Sequence, residues 1–183
     1  MRVILFCALF YVQIWTGLSV PKPKIVCYWP NWRLEEKGDK QHTPEDIDPT
    51  LCTHIHYAFH VLDDKNNVVK DSDGPQPDIY KRILALKQKN PELKVIVSLG
   101  GAGQPDVKYS HLVNNETLRH QFIGNTIQYL RQYKFDGLDI DWEYPVCWSG
   151  DCSKGPQSDR DNFGKFVKVT FNLDNLLNSF NSI

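Results

Sequence analysis

The sequence predicts an α/β protein built from successive βα units around a parallel sheet, and three observations carry that prediction. Short runs rich in Val, Ile and aromatic residues recur near 24–29, 53–60, 94–99 and 136–143, the composition of buried strands. Stretches with apolar residues at helical spacing separate these runs. Strand and helix signals alternate along the chain instead of segregating, which favours parallel strands joined by crossover helices.

Each element has its own local reason. Val26-Cys27-Tyr28-Trp29 reads as the first strand, and Thr43-Pro44-Glu45-Asp46 opens a short helix with proline at its first helical position. The second strand is Thr53-His54-Ile55-His56-Tyr57-Ala58-Phe59-His60. Ile79, Ile83 and Leu86 then mark one face of a helix before the third strand, Lys94-Val95-Ile96-Val97-Ser98-Leu99. Leu118, Phe122, Tyr129 and Tyr133 mark the next helical face, with Asn115 placed to cap its start. After the fourth strand, Ser158 with Asp161 forms a capping-box pattern ahead of Phe163, Phe166, Val167 and Thr170. Leu173, Leu176, Leu177 and Phe180 continue that period, although Asn172, Asn175, Asn178 and Asn181 are poor helix formers. The sequence shows no internal repeat beyond this alternation and no low-complexity linker.

Residues 1–19 read as a secretory signal: Arg2, an apolar stretch from Val3 to Trp15, then the small residues Gly17 and Ser19. The stretch is too short for a membrane span, so the expected product is secreted and extracellular, with no membrane partner. A net charge of −1 gives no electrostatic reason to expect nucleic acid. Of five cysteines, Cys7 falls in the signal. The remaining Cys27, Cys52, Cys147 and Cys152 imply two disulfides among three pairings. Asn115-Glu116-Thr117 is a glycosylation sequon at Asn115.

The most informative segment is Asp136-Gly137-Leu138-Asp139-Ile140-Asp141-Trp142-Glu143. Acid and apolar residues alternate at the period of a strand, so Asp139, Asp141 and Glu143 share one face while Leu138, Ile140 and Trp142 pack on the other. Carboxylates roughly 7 Å apart along a strand repel if shielded from water, so the row should hold at least one proton. Glu143, at the strand end, is placed to act as a general acid. A calcium loop would need a turn-forming glycine among the ligands, whereas Leu138, Ile140 and Trp142 favour extension. Neither a metal nor a cofactor is expected.

The segment resembles the Asp-x-x-Asp-x-Asp-x-Glu signature of glycoside hydrolase family 18, the chitinases and chitinase-like proteins. Three further stretches are similar to that family in order and spacing: Val26-Cys27-Tyr28-Trp29-Pro30-Asn31-Trp32, Cys52-Thr53-His54-Ile55-His56-Tyr57-Ala58-Phe59, and Lys94-Val95-Ile96-Val97-Ser98-Leu99-Gly100-Gly101. The resemblance implies a (β/α)8 TIM barrel of the secreted invertebrate type. The chain supplies about the first four βα units, since such barrels take about 250 residues and this chain has 183. Residues 20–183 are then a partial catalytic domain, family-like to about residue 168 with an atypical tail from 169. The family's acetamido-holding Tyr-Asp pair and cleft-floor Trp are expected beyond residue 183.

What the resemblance implies for function is retaining, substrate-assisted hydrolysis of β-1,4-N-acetylglucosamine polymers. Glu143 would be the acid and base, Asp141 the group that orients the acetamido nitrogen, and Asp139 its proton-exchange partner. Asp136 would fix the strand entrance. Tyr28, Trp32, Phe59, Trp142, Tyr144 and Trp148 are the candidate sugar-stacking aromatics, and Ser98, Gly100 and Gly101 would allow close packing under substrate. Ala102 stands where many members place Trp. His54, His56 and His60 share one strand face, expected to point at the outer helices, so packing and not zinc is their expected role. Family resemblance pairs Cys27 with Cys52, which leaves Cys147 with Cys152. Chitin or chitooligosaccharide is the expected partner. The alternatives are a non-hydrolytic chitin-binding lectin, against which the intact Glu143 speaks, and a chain that is inactive alone or self-associates through its open half-barrel.

Overall fold

A computed structural model describes the backbone of residues 23–180 and the side chains of residues 23–170. The expected signal peptide and the side chains of the tail from residue 171 lie outside the described residues. Five strands form in chain order: β1 (Val26–Pro30), β2 (His54–Asp63), β3 (Val68–Lys70), β4 (Lys94–Gly100) and β5 (Gly137–Asp141). The order β1-β2-β4-β5 is parallel throughout, and β3 turns back antiparallel onto the end of β2. Four helices accompany them: α1 (Pro77–Ala85), α2 (Asp106–Asn114), α3 (Glu116–Tyr133) and α4 (Ser158–Phe180). This is the path of the opening half of a (β/α)8 barrel.

The four strands that composition predicts are all present, together with the short Pro44–Asp46 turn, in which the Asp46 carboxylate accepts from both Thr43 N–H (2.7 Å) and Thr43 Oγ (2.9 Å). Asn115 caps α3 by accepting from Leu118 N–H at 3.1 Å. Two elements were not expected: the β3 hairpin strand and α2. Strand β3 has three residues, too few for periodicity to register. In α2 buried residues are interleaved with polar ones, among them Asp106 and Ser110, both buried.

The core lies between the sheet and the helices. Ile55 and Tyr57 of β2 and Val95, Val97 and Leu99 of β4 are fully buried on the helix-facing side. Against them pack Ile83 of α1, Leu112 of α2 and Phe122 and Leu130 of α3. Fully burying each such side chain contributes roughly 1.5–3 kcal/mol. The disulfide Cys27–Cys52 ties β1 to the residues that lead into β2, and Cys147–Cys152 closes a small ring after β5. Closing the longer ring restricts the unfolded chain by about 3.5 kcal/mol in the loop-entropy model.

Strand β2 departs from simple alternation. Its register against β4 shifts between Ala58 and His60, leaving Phe59 as a bulge. His60, past the bulge, therefore leaves the face that His54 and His56 share, which corrects the expectation from period alone. His60 is buried beside Tyr129 of α3, whose hydroxyl lies 3.0 Å from its Nε2. His56 lies on the opposite side of the sheet, among the acids.

Candidate active site

The site forms at the C-terminal ends of the parallel strands, where loops of a βα protein converge. Strand β5 alternates as its sequence requires. Leu138 and Ile140 pack toward the core, and Asp139 and Asp141 project from the other face. The strand ends at Asp141, so Trp142 and Glu143 belong to the turn that follows.

Asp139 is the most tightly held acid. Its Oδ2 accepts from Ser98 Oγ at 2.7 Å and from Tyr28 OH at 2.9 Å. His56 Nδ1 lies 3.1 Å from the same oxygen. Burial alone would raise this carboxyl, but the nearby His56 and the hydrogen bonds from Ser98 and Tyr28 outweigh it and hold the acid below its ordinary value. Tyr28 responds in the opposite sense. Its phenol is pushed up to about 12 by desolvation, with the hydrogen bond to Asp139 and that carboxylate's charge adding to it.

Asp141 is shifted the other way, above its ordinary value, first by desolvation and then by the charges of Glu143 and Asp139. The two acids are thus shifted in opposite directions, the sense that separates acid and base roles in glycosidases. The backbone of Asp141 is fixed as well. Its carbonyl accepts from Gly101 N–H at 2.8 Å. A Cβ on Gly100 would stand 2.2 Å from that carbonyl oxygen, and one on Gly101 2.9 Å from the Phe59 ring. Both glycines have positive φ, so β4 can meet Asp141 this closely only without side chains there.

Tyr28 and Trp32 are each about half exposed, and the Trp32 ring lies nearly parallel to Phe59 with centroids 6.2 Å apart. Phe59 is in turn 6.2 Å from Tyr28. These three rings form one continuous aromatic patch beside the acid row, and Tyr144 stands exposed just past Glu143. Trp142 does not belong to that patch. It is buried, its indole N–H donates to Asp106 at 2.7 Å, and it stacks on Tyr109 of α2. Trp142, the first residue past β5, turns into the core, which corrects its inclusion among the sugar-stacking candidates. Trp148 is likewise partly buried, donating to Asp159 at 2.9 Å.

Asp136 sits at the start of β5, accepting from Val95 N–H at 2.7 Å and pairing with Lys87 at 2.6 Å. It fastens β5 to β4 away from the cleft. Sequence reasoning missed His56, Asp106 and Asp159. For His56 the signal was present: Ile55 and Tyr57 are the more apolar alternates and belong on the helix side. Assigning Phe59 to the cleft while assuming an unbroken period sent His56 the wrong way. Asp106 and Asp159 are buried acids that hold the segment after Glu143. Asp106 accepts from Ser149 Oγ at 2.9 Å, and Asp159 accepts from Ser110 Oγ at 2.7 Å and Asn114 Nδ2 at 2.6 Å. Nothing in their local sequence marks them.

A row of carboxylates at the C-terminal edge of a parallel βα sheet, flanked by aromatic platforms, defines a site of glycosidase type. The family model for glycosyl hydrolases family 18 matches residues 24–178, and the chain belongs to that family. It is 43% identical over 163 residues to the probable chitinase 10 of Drosophila melanogaster, covering 84% of this chain and 7% of that protein. The structure of Ostrinia furnacalis Group II chitinase catalytic domain 2 superposes with a TM-score of 0.76 at 44% identity, over 83% of this chain and 40% of that one. A mutant of that domain was solved in complex with (NAG)5. Human YKL-39, described as a pseudo-chitinase with retained chitooligosaccharide binding, matches at 35% identity and TM-score 0.66, over 80% of this chain and 37% of its own. The chain thus spans well under half the length of these relatives. Among the described residues no helix is long and apolar enough to cross a membrane.

Proposed function

We propose that this chain carries the acid–base half of a chitinase site, acting outside the cell on β-1,4-linked N-acetylglucosamine polymers. The observation that carries the reading is the acid row itself: Asp139 accepting from Ser98 Oγ and Tyr28 OH, Asp141 next on the same face of β5, and Glu143 just past the strand end. In this mechanism Glu143 gives its proton to the glycosidic oxygen as that bond breaks, and the substrate's own acetamido oxygen attacks the anomeric carbon. Asp141 passes its proton to Asp139 and, as a carboxylate, accepts from the acetamido N–H and offsets the positive charge that develops on the oxazolinium ring. Glu143, now a carboxylate, takes a proton from the water that opens the ring, and configuration is retained. Tyr28, Trp32 and Phe59 offer apolar faces to sugar rings. The (NAG)5 complex of the Ostrinia relative supports this substrate class.

The likeness to YKL-39 favours a second reading, binding without hydrolysis, and one experiment separates the two. Residues 24–168 replace the matching segment of the Ostrinia domain, and the chimera is assayed on chitotetraose. The expected result is turnover that Glu143→Gln lowers by about 10²- to 10⁴-fold in kcat while the dissociation constant stays nearly constant. A folded chimera that binds chitotetraose without cleaving it would establish the binding reading instead.

A further inference from the structure

Asn115-Glu116-Thr117 is the single Asn-x-Ser/Thr sequon of the chain, and the chemistry of the acid row makes no use of it. It falls at the junction of α2 and α3, where two neighbouring asparagines are used differently. Asn114, the last residue of α2, turns its amide inward: Nδ2 donates to Asp159 Oδ1 at 2.6 Å and to the Ser110 carbonyl at 2.9 Å. Asn115 uses only one end of its amide. Its backbone is extended, and Oδ1 accepts from Leu118 N–H at 3.1 Å to cap α3. Its Nδ2 makes no hydrogen bond among the described residues. Asn115, Glu116 and Thr117 are all exposed, and the exposed stripe continues along α3 through His120, Gln121, Gly124 and Gln128. Phe122, Thr126 and Leu130 of the same helix are buried on its other side.

We propose that Asn115 is an N-glycosylation site in which the two ends of one amide divide the work: Oδ1 holds the first turn of α3 and Nδ2 carries an oligosaccharide. The co-reactant is an oligosaccharide linked to a lipid pyrophosphate, the donor class of the secretory membrane. Nδ2 bonds to the anomeric carbon of the first sugar as the bond from that carbon to the pyrophosphate oxygen breaks. One Nδ2 proton passes to a base of the transferase, and the lipid pyrophosphate departs with the bonding electrons. The product is still an amide, with one N–H and its carbonyl oxygen intact. The cap therefore survives the modification, because an N-cap uses the side-chain oxygen alone. Asn114 could carry no such group without giving up its bond to the buried Asp159. Thr117, whose hydroxyl completes the sequon, stands exposed two residues on. Helix α3 packs on the helix side of the sheet, and the acid row projects from the opposite face, so sugars at Asn115 leave the cleft open.

This inference rests on the extracellular part of the reading above, but its test reads mass and not turnover, so either can fail alone. The full 183-residue chain and its variants are expressed in cultured mammalian cells. Medium and lysate are collected together, since the sugar is added during synthesis whether or not the chain leaves the cell. Peptide-N-glycosidase in heavy-oxygen water converts a glycosylated Asn to a labelled Asp. The peptide that spans Asn115 should carry that label in most copies, and Thr117→Ala should abolish it while leaving the asparagine in place. Hydrogen exchange read by mass spectrometry, which tolerates self-association, tests the cap. Asn115→Ala, which loses sugar and cap, should exchange the first turn of α3 faster than Thr117→Ala, which loses the sugar only. Asn115→Asp, which caps well and cannot take the sugar, should match Thr117→Ala. An unlabelled Asn115 peptide would overturn the proposal, wherever the chain is found. So would a label that persists in Thr117→Ala, or equal exchange in Asn115→Ala and Thr117→Ala. Should Asn115→Ala fail to fold, the wild-type label and its loss in Thr117→Ala decide.

Discussion

Gly100 shows how far one residue constrains this site. Its φ of +118° and the 2.2 Å separation of a would-be Cβ from the Asp141 carbonyl oxygen are two independent objections to any side chain. Gly103 shares a positive φ of +82° but has nothing within 4 Å of a would-be Cβ. Gly103→Ala should therefore cost only the backbone strain, about 1 kcal/mol. Gly100→Ala should cost about 2–4 kcal/mol, because the β4 end or the Asp141 backbone must also move. Denaturant unfolding of the two variants measures this difference. Equal losses would show that conformation alone, and not the contact with Asp141, requires glycine at Gly100. At this scale the sequence was readable wherever chemistry and period agree: Asp139 and Asp141 share one face of β5, with Tyr28 bonded to Asp139 and the paired glycines packed on the Asp141 backbone. It misled at Trp142, where aromatic character suggested a sugar platform and the ring instead packs into the core.

Elements are joined by a buried polar network whose members are distant in sequence. Asp71, just after β3, is fully buried. It accepts from Tyr80 OH of α1 and from Asn31 Nδ2 at 3.2 Å. Tyr80 OH lies 2.7 Å from Tyr129 OH of α3, and Tyr129 in turn meets His60 of β2. Desolvation is the first cause that raises Asp71, to about 6, against the hydrogen bonds from Tyr80 and Asn31 that pull it down. The same desolvation lowers His60 to about 3, so the ring stays neutral in the folded protein near neutral pH. The folded state thus holds a proton on Asp71 that the unfolded chain, ionising near 3.8, has already lost. Stability from this group is fully present below pH 4, falls as pH rises toward 6, and stays low above that. The amplitude is about 2–3 kcal/mol. Asp71→Asn should flatten the stability profile between pH 4 and 6, as read by urea midpoints across that range. A slope that persists in the variant would place the titration elsewhere. Such a network leaves no local trace, because Asn31, His60, Asp71, Tyr80 and Tyr129 read separately as ordinary loop, strand and helix residues. The β2 bulge escaped for a related reason. Periodicity assumes unbroken alternation, and only pairing with β4 reveals the extra residue at Phe59.

For the whole molecule, the α/β class and the four parallel strands were legible because buried strands and amphipathic helices follow from composition and period. How the sheet is bounded is a property of the assembled chain. Among the described residues the parallel sheet has two edges, β1 and β5. Ile25 and Val26 at the β1 edge are each about half exposed, as are Tyr28 and Trp32 beyond them. A closed barrel has no such edges, and unpaired backbone next to exposed apolar side chains is a template for pairing with another copy. Asp141 and Glu143 lie on or just beyond the β5 edge, where water weakens the mutual charge effect that raises Asp141. Residues 20–183 expressed alone should therefore run above monomer mass by light scattering at micromolar concentration. It should also show no chitotetraose cleavage above a Glu143→Gln control. Introducing Val26→Lys at the exposed β1 edge should shift it toward monomer, since a charge there opposes strand addition. A monodisperse wild-type monomer that cleaves chitotetraose faster than the control would show that the open sheet neither drives association nor disables the acid row.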